Sequence, residues 1–408
     1  MSAETNKRTT SNNNSILWII LAFAGLMAGG FIIAQTTPLL FPPQGSAESY
    51  QVDELFKFMM VIGGAIFLLV QGMIVYSVLR FRTRAGDMSD GPPMHGNATL
   101  ELVWTAIPGI IVLVLAIYSY SVWVDIWTAK DNEQSVLGIG QRFAWSFSYE
   151  VPRSAVPDDV DISTLSPNIQ QALEEEGAFN MTSTELHTYV GQSVRVALNT
   201  DDSQHAFWVP AMRVKQDLLP GRTTETRFTP VLAGEYPIVC AELCGSGHGD
   251  MRARIIVHED QEAYVEWFNN EAAKVFYPPE DPVLRGEQVL ASGAYPCAGC
   301  HTLSEMGWQG VTGPNLNGIG ERAATTRSTT TGQTPEEYLF RSLYFPTEYV
   351  VPGFGPLMPQ FHAEDPGAPF YMPASDGEAI TAYLCTQSSG SESVCDLEDL
   401  AEITAAHD

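Results

Sequence analysis

Three long apolar runs occupy the first third of the chain, and nothing like them recurs later. Residues 16–34, 55–79 and 102–123 are nearly free of charge, and each is close to the ~20 residues that a helix needs to cross a hydrocarbon core. The last two are long enough to tilt. From Gly138 onward the pattern changes to short alternating runs. In 193–198, Val194, Val196 and Leu198 share one face, and 252–257 behaves alike. Period-two alternation between turn residues predicts an antiparallel sandwich or barrel. An acidic stretch, 152–184, interrupts these runs and reads as a surface excursion with one short helix around 169–176. Beyond Val257, Tyr264, Val265, Trp267 and Phe268 mark an amphipathic helix. The prolines of Tyr277-Pro-Pro-Glu-Asp-Pro282 then break helical propagation and stiffen the connection, which sets a domain boundary. Residues 283–385 read as helices, and the tail from Thr386 as acidic and loosely ordered. No internal repeat is present.

Arg80, Arg82 and Arg84 follow the second apolar run and lead into a Gly/Pro-rich loop, with no matching basic cluster at the far ends. The positive-inside rule puts that loop in the cytoplasm, so everything after Trp123 faces outward. The first run is open to two readings. Lys7 and Arg8 ahead of an apolar core describe either a retained helix or a secretory signal cleaved near Ala28-Gly-Gly30.

Composition adds a direction to this layout. The formal charge is −27, and residues 259–408 hold 23 acidic against 5 basic side chains. A field of that sign excludes nucleic acid as a partner and suits a cationic protein. The six cysteines fall into three close pairs, 240/244, 297/300 and 385/395, and two of the pairs stand beside histidines. That is metal or haem chemistry rather than a small disulfide framework.

The densest constellation is Cys240-Ala-Glu-Leu-Cys244-Gly-Ser-Gly-His248-Gly-Asp-Met251, with His205 upstream in His205-Ala-Phe-Trp-Val-Pro210. Singly, each element has a plainer explanation: a hydrogen-bonded histidine, an exported disulfide, a packing methionine. Together, two thiolates, two imidazoles and a thioether are soft or borderline ligands that suit copper. A thioether adds little to a closed zinc site. Two cysteines, rather than the one of a mononuclear blue-copper centre, can bridge two coppers that share an unpaired electron.

These residues, with Val214-Lys-Gln-Asp-Leu-Leu-Pro-Gly-Arg222 and Glu101-Leu-Val-Trp-Thr-Ala-Ile-Pro108, resemble subunit II of the cytochrome c oxidase family. The resemblance implies a dinuclear copper centre, CuA, held by His205, Cys240, the Glu242 carbonyl, Cys244, His248 and Met251. It also implies that the Glu242 carboxylate helps bind magnesium (Mg2+) at the interface with subunit I. Glu101 matches a carboxylate near the cytoplasmic mouth of a proton channel in subunit I, and an acid at a span's end can still meet water; an interfacial snorkelling acid is the alternative. Gln141-Arg-Phe-Ala-Trp-Ser-Phe-Ser-Tyr149 resembles the family's aromatic strand beside the copper. Many members have a tryptophan where Phe143 stands, one that receives electrons from a docked cytochrome, and this chain departs from them there. Trp145 matches the next aromatic and is expected in the core.

Cys297-Ala-Gly-Cys300-His301 is the haem c attachment motif, in which two thiols form thioethers and the histidine ligates iron. Thr312-Gly-Pro-Asn-Leu316 resembles the turn whose proline carbonyl orients that histidine in small cytochromes c. The sixth ligand is a downstream methionine. Met306 is too near the motif to reach the opposite haem face, Met358 in a Met-Pro loop fits best, and Met372 remains the alternative. A helix over 376–384 would close the fold. Cys385 and Cys395 lack a histidine and predict a disulfide.

The expected fold is therefore membrane-anchored and multidomain: N-terminal transmembrane helices, a cupredoxin-like Greek-key β-barrel, then an all-α cytochrome c domain. The segments are 1–36, a transmembrane helix or signal; 50–125, a transmembrane hairpin; 134–258, the CuA domain; 259–282, helix and linker; 283–386, the cytochrome c domain; and 387–408, an acidic tail. The expected role is subunit II of a respiratory haem–copper oxidase in a bacterial inner membrane, multi-pass, with copper and haem outside. Its partners would be lipid, subunit I with other oxidase subunits, and a cationic donor such as a cytochrome c. It would pass electrons from that donor through haem c and CuA to subunit I, which carries the oxygen-reducing site and pumps protons; no catalytic residue is expected in this chain. A copper-containing nitric oxide reductase subunit and a non-redox copper-delivery protein are the rivals. Covalent haem beside copper speaks against the second, since delivery needs no relay.

Overall fold

The computed structural model describes residues 8–82, 86, 96–364, 370–390 and 393–406. It divides into two compact units, 1–129 and 130–408. Lys7, Arg84 and most of the Gly/Pro-rich loop lie outside the described residues, as do positions 391–392 and 407–408 of the tail.

The first unit is built from α1 (Arg8–Ala34), α2 (Ala47–Phe81) and α3 (Ala98–Trp127). All three are long and apolar enough to cross a membrane. Their apolar side chains stay outside any core: Leu79 is 68 % exposed and Ile110 62 %, and α3 has no buried residue at all. An apolar surface that extensive requires lipid or protein around it rather than water. Ser46 caps α2 through a reciprocal pair of hydrogen bonds with Ser49. The backbones of α1 and α2 touch, because a Cβ at Gly30 would lie 2.2 Å from the Val61 carbonyl oxygen; small residues permit such approach between membrane helices.

The second unit opens with two five-stranded sheets. The strands are β1 (Gln134–Gln141), β2 (Ala144–Pro152), β3 (Ala178–Ser183), β4 (Leu186–Tyr189), β5 (Val194–Asn199), β6 (His205–Val209), β7 (Val214–Leu218), β8 (Thr224–Phe228), β9 (Gly234–Cys240) and β10 (Arg252–His258). One sheet runs β3-β2-β1-β5-β8 and the other β4-β10-β9-β6-β7. The expected alternation holds: in β5, Val194, Val196 and Leu198 are fully buried while Arg195, Ala197 and Asn199 are partly exposed. Phe147, Phe207, Phe228 and Ile238 fill the space between the sheets. The sheets differ from an all-antiparallel barrel in two respects. They are separate, and β1–β5 and β4–β10 are parallel pairs, because period-two alternation reports which face is buried and is silent on strand direction.

The acidic stretch 152–184 is also more integrated than a surface excursion. Its end, β3, pairs with β2, and α4 (Pro167–Glu175) inside it buries Leu173 against the sandwich, as Leu165 is buried beside it. Ile169 and Leu173, four residues apart, share one face of α4, and Leu165 in the turn before it packs on the same core.

The amphipathic helix is α5 (Gln261–Phe276), capped by Asp260. Trp267 from α5 stacks on His187 at 3.7 Å between ring centroids and 3° between planes. A helical cluster follows: α6 (Pro282–Ser292), α7 (Pro335–Tyr344), α8 (Ala374–Cys385) and α9 (Leu397–Ala405). Cys385 and Cys395 are joined by a disulfide. The tail corrects the expectation of loose order. Asp396 caps α9, whose Leu400 and Thr404 are buried and whose Ile403 packs on the same core, because one apolar helix face outweighs the surrounding acids once a core lies within reach.

Candidate metal centre and adjoining cleft

His205 begins β6 and Cys240 ends β9. The antiparallel register pairs Phe207 with Cys240, so His205, two residues away on the same face, lies against the loop that leaves β9. That loop is closed at its base by a hydrogen bond from the Cys240 amide to the Met251 carbonyl, 3.2 Å. Within it Cys240 Sγ lies 3.8 Å from His205 Nδ1, 3.2 Å from the Glu242 carbonyl oxygen and 3.9 Å from Cys244 Sγ. Cys244 Sγ lies 3.6 Å from His248 Nδ1 and 3.9 Å from Met251 Sδ. The two cysteines are free thiols rather than a disulfide. His205 and Met251 are wholly buried, and His205, Cys240 and Cys244 together can hold a metal ion. All six donors expected from the sequence are thus gathered in one pocket.

Charge in the pocket is unevenly shared. Burial would raise the Cys240 thiol, but the hydrogen bond to His205 and two backbone contacts prevail and bring it down to about 6. Burial and the neighbouring Cys240 thiolate push Cys244 up to about 12. His205 is raised despite burial, by hydrogen bonds with Asp202 and Cys240. Asp202 was not anticipated. Its Oδ1 lies 2.9 Å from His205 Nε2, and although burial opposes ionisation, its contacts with His205 and the Arg142 and Ser203 amides hold its carboxyl at about 2. The signal available in the sequence was an acid three residues before His205.

The second cysteine motif sits in a short turn, with the His301 amide bonded to the Cys297 carbonyl at 3.0 Å. His301 Nδ1 meets the Pro314 carbonyl oxygen at 2.7 Å, which leaves the other ring nitrogen free to act as a ligand. Cys297 and Cys300 are free thiols, and burial pushes Cys297 up to about 12. An apolar cleft of about 1030 Å³, partly open to solvent, is lined by Cys297, His301, Trp308, Leu316, Leu339 and Met358 among others. An adjoining cavity of about 580 Å³ shares Cys297, His301 and Met358 and adds Cys300 and Arg142. Met306 and Met372 line neither. Met372 is wholly buried, its carbonyl accepting from the Tyr344 hydroxyl at 3.3 Å. Glu101 belongs to the first unit, where it is exposed in the first turn of α3 and its carboxylate accepts from the Asn97 amide at 3.3 Å.

Residues 34–122 match the family described as cytochrome C oxidase subunit II, transmembrane domain, and residues 134–259 match its periplasmic domain. A cytochrome c oxidase subunit 2 from a Synechocystis species is 35% identical over 248 residues, covering 56% of this chain and 74% of that one. One from Thermostichus vulcanus is 35% identical over 281 residues, covering 62% and 85%. The chain belongs to the cytochrome c oxidase subunit II family. A crystal structure of the periplasmic domain of subunit II from Bradyrhizobium japonicum is also similar, at 27% identity and a TM-score of 0.27, covering 36% of this chain and 99% of that one. As a subunit II, the protein is a membrane-anchored part of an oxidoreductase complex that includes subunit I. The periplasmic-domain match runs from β1 through β10 and encloses the metal pocket, whereas the cleft and its cysteine motif lie beyond both matched ranges.

Proposed function

We propose that this subunit II carries electrons outside a bacterial inner membrane from a cationic donor protein to subunit I, using haem c in the cleft and a dinuclear copper centre in the cysteine loop. The observation that carries the reading is the meeting of two thiols, two imidazoles, a thioether and the Glu242 carbonyl in one largely buried pocket. Soft sulfur and imidazole donors fit copper, and two thiols can serve two ions. His205, Cys240, Glu242, Cys244, His248 and Met251 would hold them. The cleft fits a porphyrin in its apolar lining, in the pair of thiols beside a histidine with one ring nitrogen free, and in Met358 as sixth ligand.

When bound, the two groups supply one-electron carriers on an otherwise redox-inert chain. The protein's own work is to hold them. His301 is oriented by Pro314, His205 by Asp202, and the burial of Met251 and His205 keeps water from the metal pocket. The reading extends to three further roles: Glu242 in binding Mg2+ at the subunit I interface, Glu101 at a proton entry near the cytoplasmic side, and α1 as a retained span, the last supported by its close packing on α2.

Metal analysis and paramagnetic resonance of the purified complex test the central proposal. The expected result is two coppers and one covalent haem per chain, with the unpaired spin shared between both coppers and lost in Cys240→Ser. One copper with an ordinary single-ion cupric spectrum, or haem that leaves on acid extraction, would overturn it.

A further inference from the structure

Phe143 occupies the turn between β1 and β2 and is only 5% exposed. It is walled in from two sides by glycines of two different loops. A Cβ at Gly299, between the two cysteines of the haem motif, would lie 2.6 Å from the carbonyl carbon and oxygen of Phe143 and 2.7 Å from its nitrogen. Those are backbone atoms, so no flexible side chain can yield. A Cβ at Gly247, between Cys244 and His248, would lie 2.4 Å from Cδ2 of the Phe143 ring and 2.9 Å from Thr312 Oγ1. Thr312 belongs to the segment whose Pro314 carbonyl holds His301. Along the same seam Cys300 Sγ sits 3.9 Å from the Arg142 carbonyl oxygen. The Arg142 amide donates to Asp202 Oδ2 at 2.7 Å, and Asp202 Oδ1 meets His205 Nε2. A C-x-x-C-H motif places no demand of its own on the residue at Gly299, so the glycine answers to the packing.

We propose that Gly299 and Gly247 are positioning residues that clamp the Arg142–Phe143 turn between the haem loop and the copper-ligand loop, fixing the separation of the two centres. The inference rests on the two-centre reading above. In the step concerned one electron would pass from reduced haem, held by Cys297, Cys300 and His301, to the oxidised copper pair held by the cysteine loop, with no bond or proton changing hands. Close packing on both faces of the turn removes the freedom of the helical cluster to rock against the sandwich at this point.

The test uses the full oxidase complex carrying Gly299→Ala, with Phe143→Leu as a second variant that keeps the backbone and alters the ring against Gly247. Haem and copper content, hydrogen exchange over 141–145 and 245–248, and the rate of electron transfer from photoreduced haem to copper are read together. Both variants are expected to retain haem and copper, to exchange faster in those two segments, and to slow the transfer severalfold. Full occupancy with exchange and transfer indistinguishable from the unsubstituted protein would overturn the inference alone. Should Gly299→Ala fail to assemble, Phe143→Leu decides by the same readings. Absence of haem or copper from the unsubstituted complex would sink the two-centre reading and this inference with it.

Discussion

His205 offers its Nδ1 to the cysteine pocket only because something occupies its other nitrogen, and that partner is Asp202. Asp202 is in turn held by the Arg142 and Ser203 amides, at 2.7 and 2.5 Å, so it orients the ring from a fixed anchor. Replacing the carboxylate by an amide leaves the shape and removes the charge and the preferred tautomer. Outer partners of metal-bound histidines are worth about 10–100-fold in affinity. Asp202→Asn is therefore expected to weaken copper binding by that order in a chelator competition, with the fold intact by circular dichroism. An unchanged affinity would show that the ring is held by packing alone. Met358 and Met372 illustrate the same dependence on surroundings: both precede a proline, yet only Met358 borders the cleft.

α5 joins the sandwich to the helical cluster, and its contact with the sheets is a stack of rings. Trp267 covers His187, whose Nδ1 meets His258 Nε2 at 3.1 Å, with Tyr264 edge-on to His258. Glu185 is the nearest carboxylate, 3.7 Å from His187 Nε2. Burial, and then the neighbouring His258, lower the His187 imidazole to about 3, and burial lowers His258 as well. A histidine depressed in the folded state stays neutral there while the unfolded chain takes up a proton near its ordinary value of about 6.5. Its stabilising contribution is thus whole above that value and is lost as pH falls toward the folded one. Below about pH 6 the sandwich should lose about 1.4 kcal/mol per pH unit for His187. Thermal melts of the purified protein between about pH 7 and pH 4 would record it, and His187→Phe should flatten the dependence. A melting temperature independent of pH in that range would exclude the mechanism.

For the whole molecule the governing feature is charge. With 23 acidic and 5 basic residues beyond position 258, the outward part would attract the basic donor proposed above over distances that salt cuts to about 10 Å at 0.1 M. The second-order rate of reduction by a basic cytochrome should therefore fall steadily as ionic strength rises, and rise for an acidic one. A rate that climbs with salt for the basic donor would exclude a cationic partner. The exposed apolar flanks of α1, α2 and α3 complete the arrangement, since they commit one unit to lipid and neighbouring subunits while the other keeps its acids in water.

The clustering of soft side chains, three helices long and apolar enough to cross a membrane, and the end of α5 before the prolines of 277–282 were legible in the residues, because side-chain chemistry, hydropathy and proline geometry act within a few positions of the chain. The direction of the strands was not, and neither was the burial of Leu165 and Leu173, nor the packing of α9 by Leu400 and Thr404, since these depend on which surface another segment offers. The meeting of His205 with a loop 35 residues away was open for the same reason: it follows from the pairing of β6 with β9, and a slip of one residue would turn the ring away. Asp202 beside His205, Met358 rather than Met372 at the cleft, and two glycines clamped on Phe143 belong to that second class. Sequence could name such residues, but only the register of strands and the approach of loops could bring their atoms within 4 Å of one another.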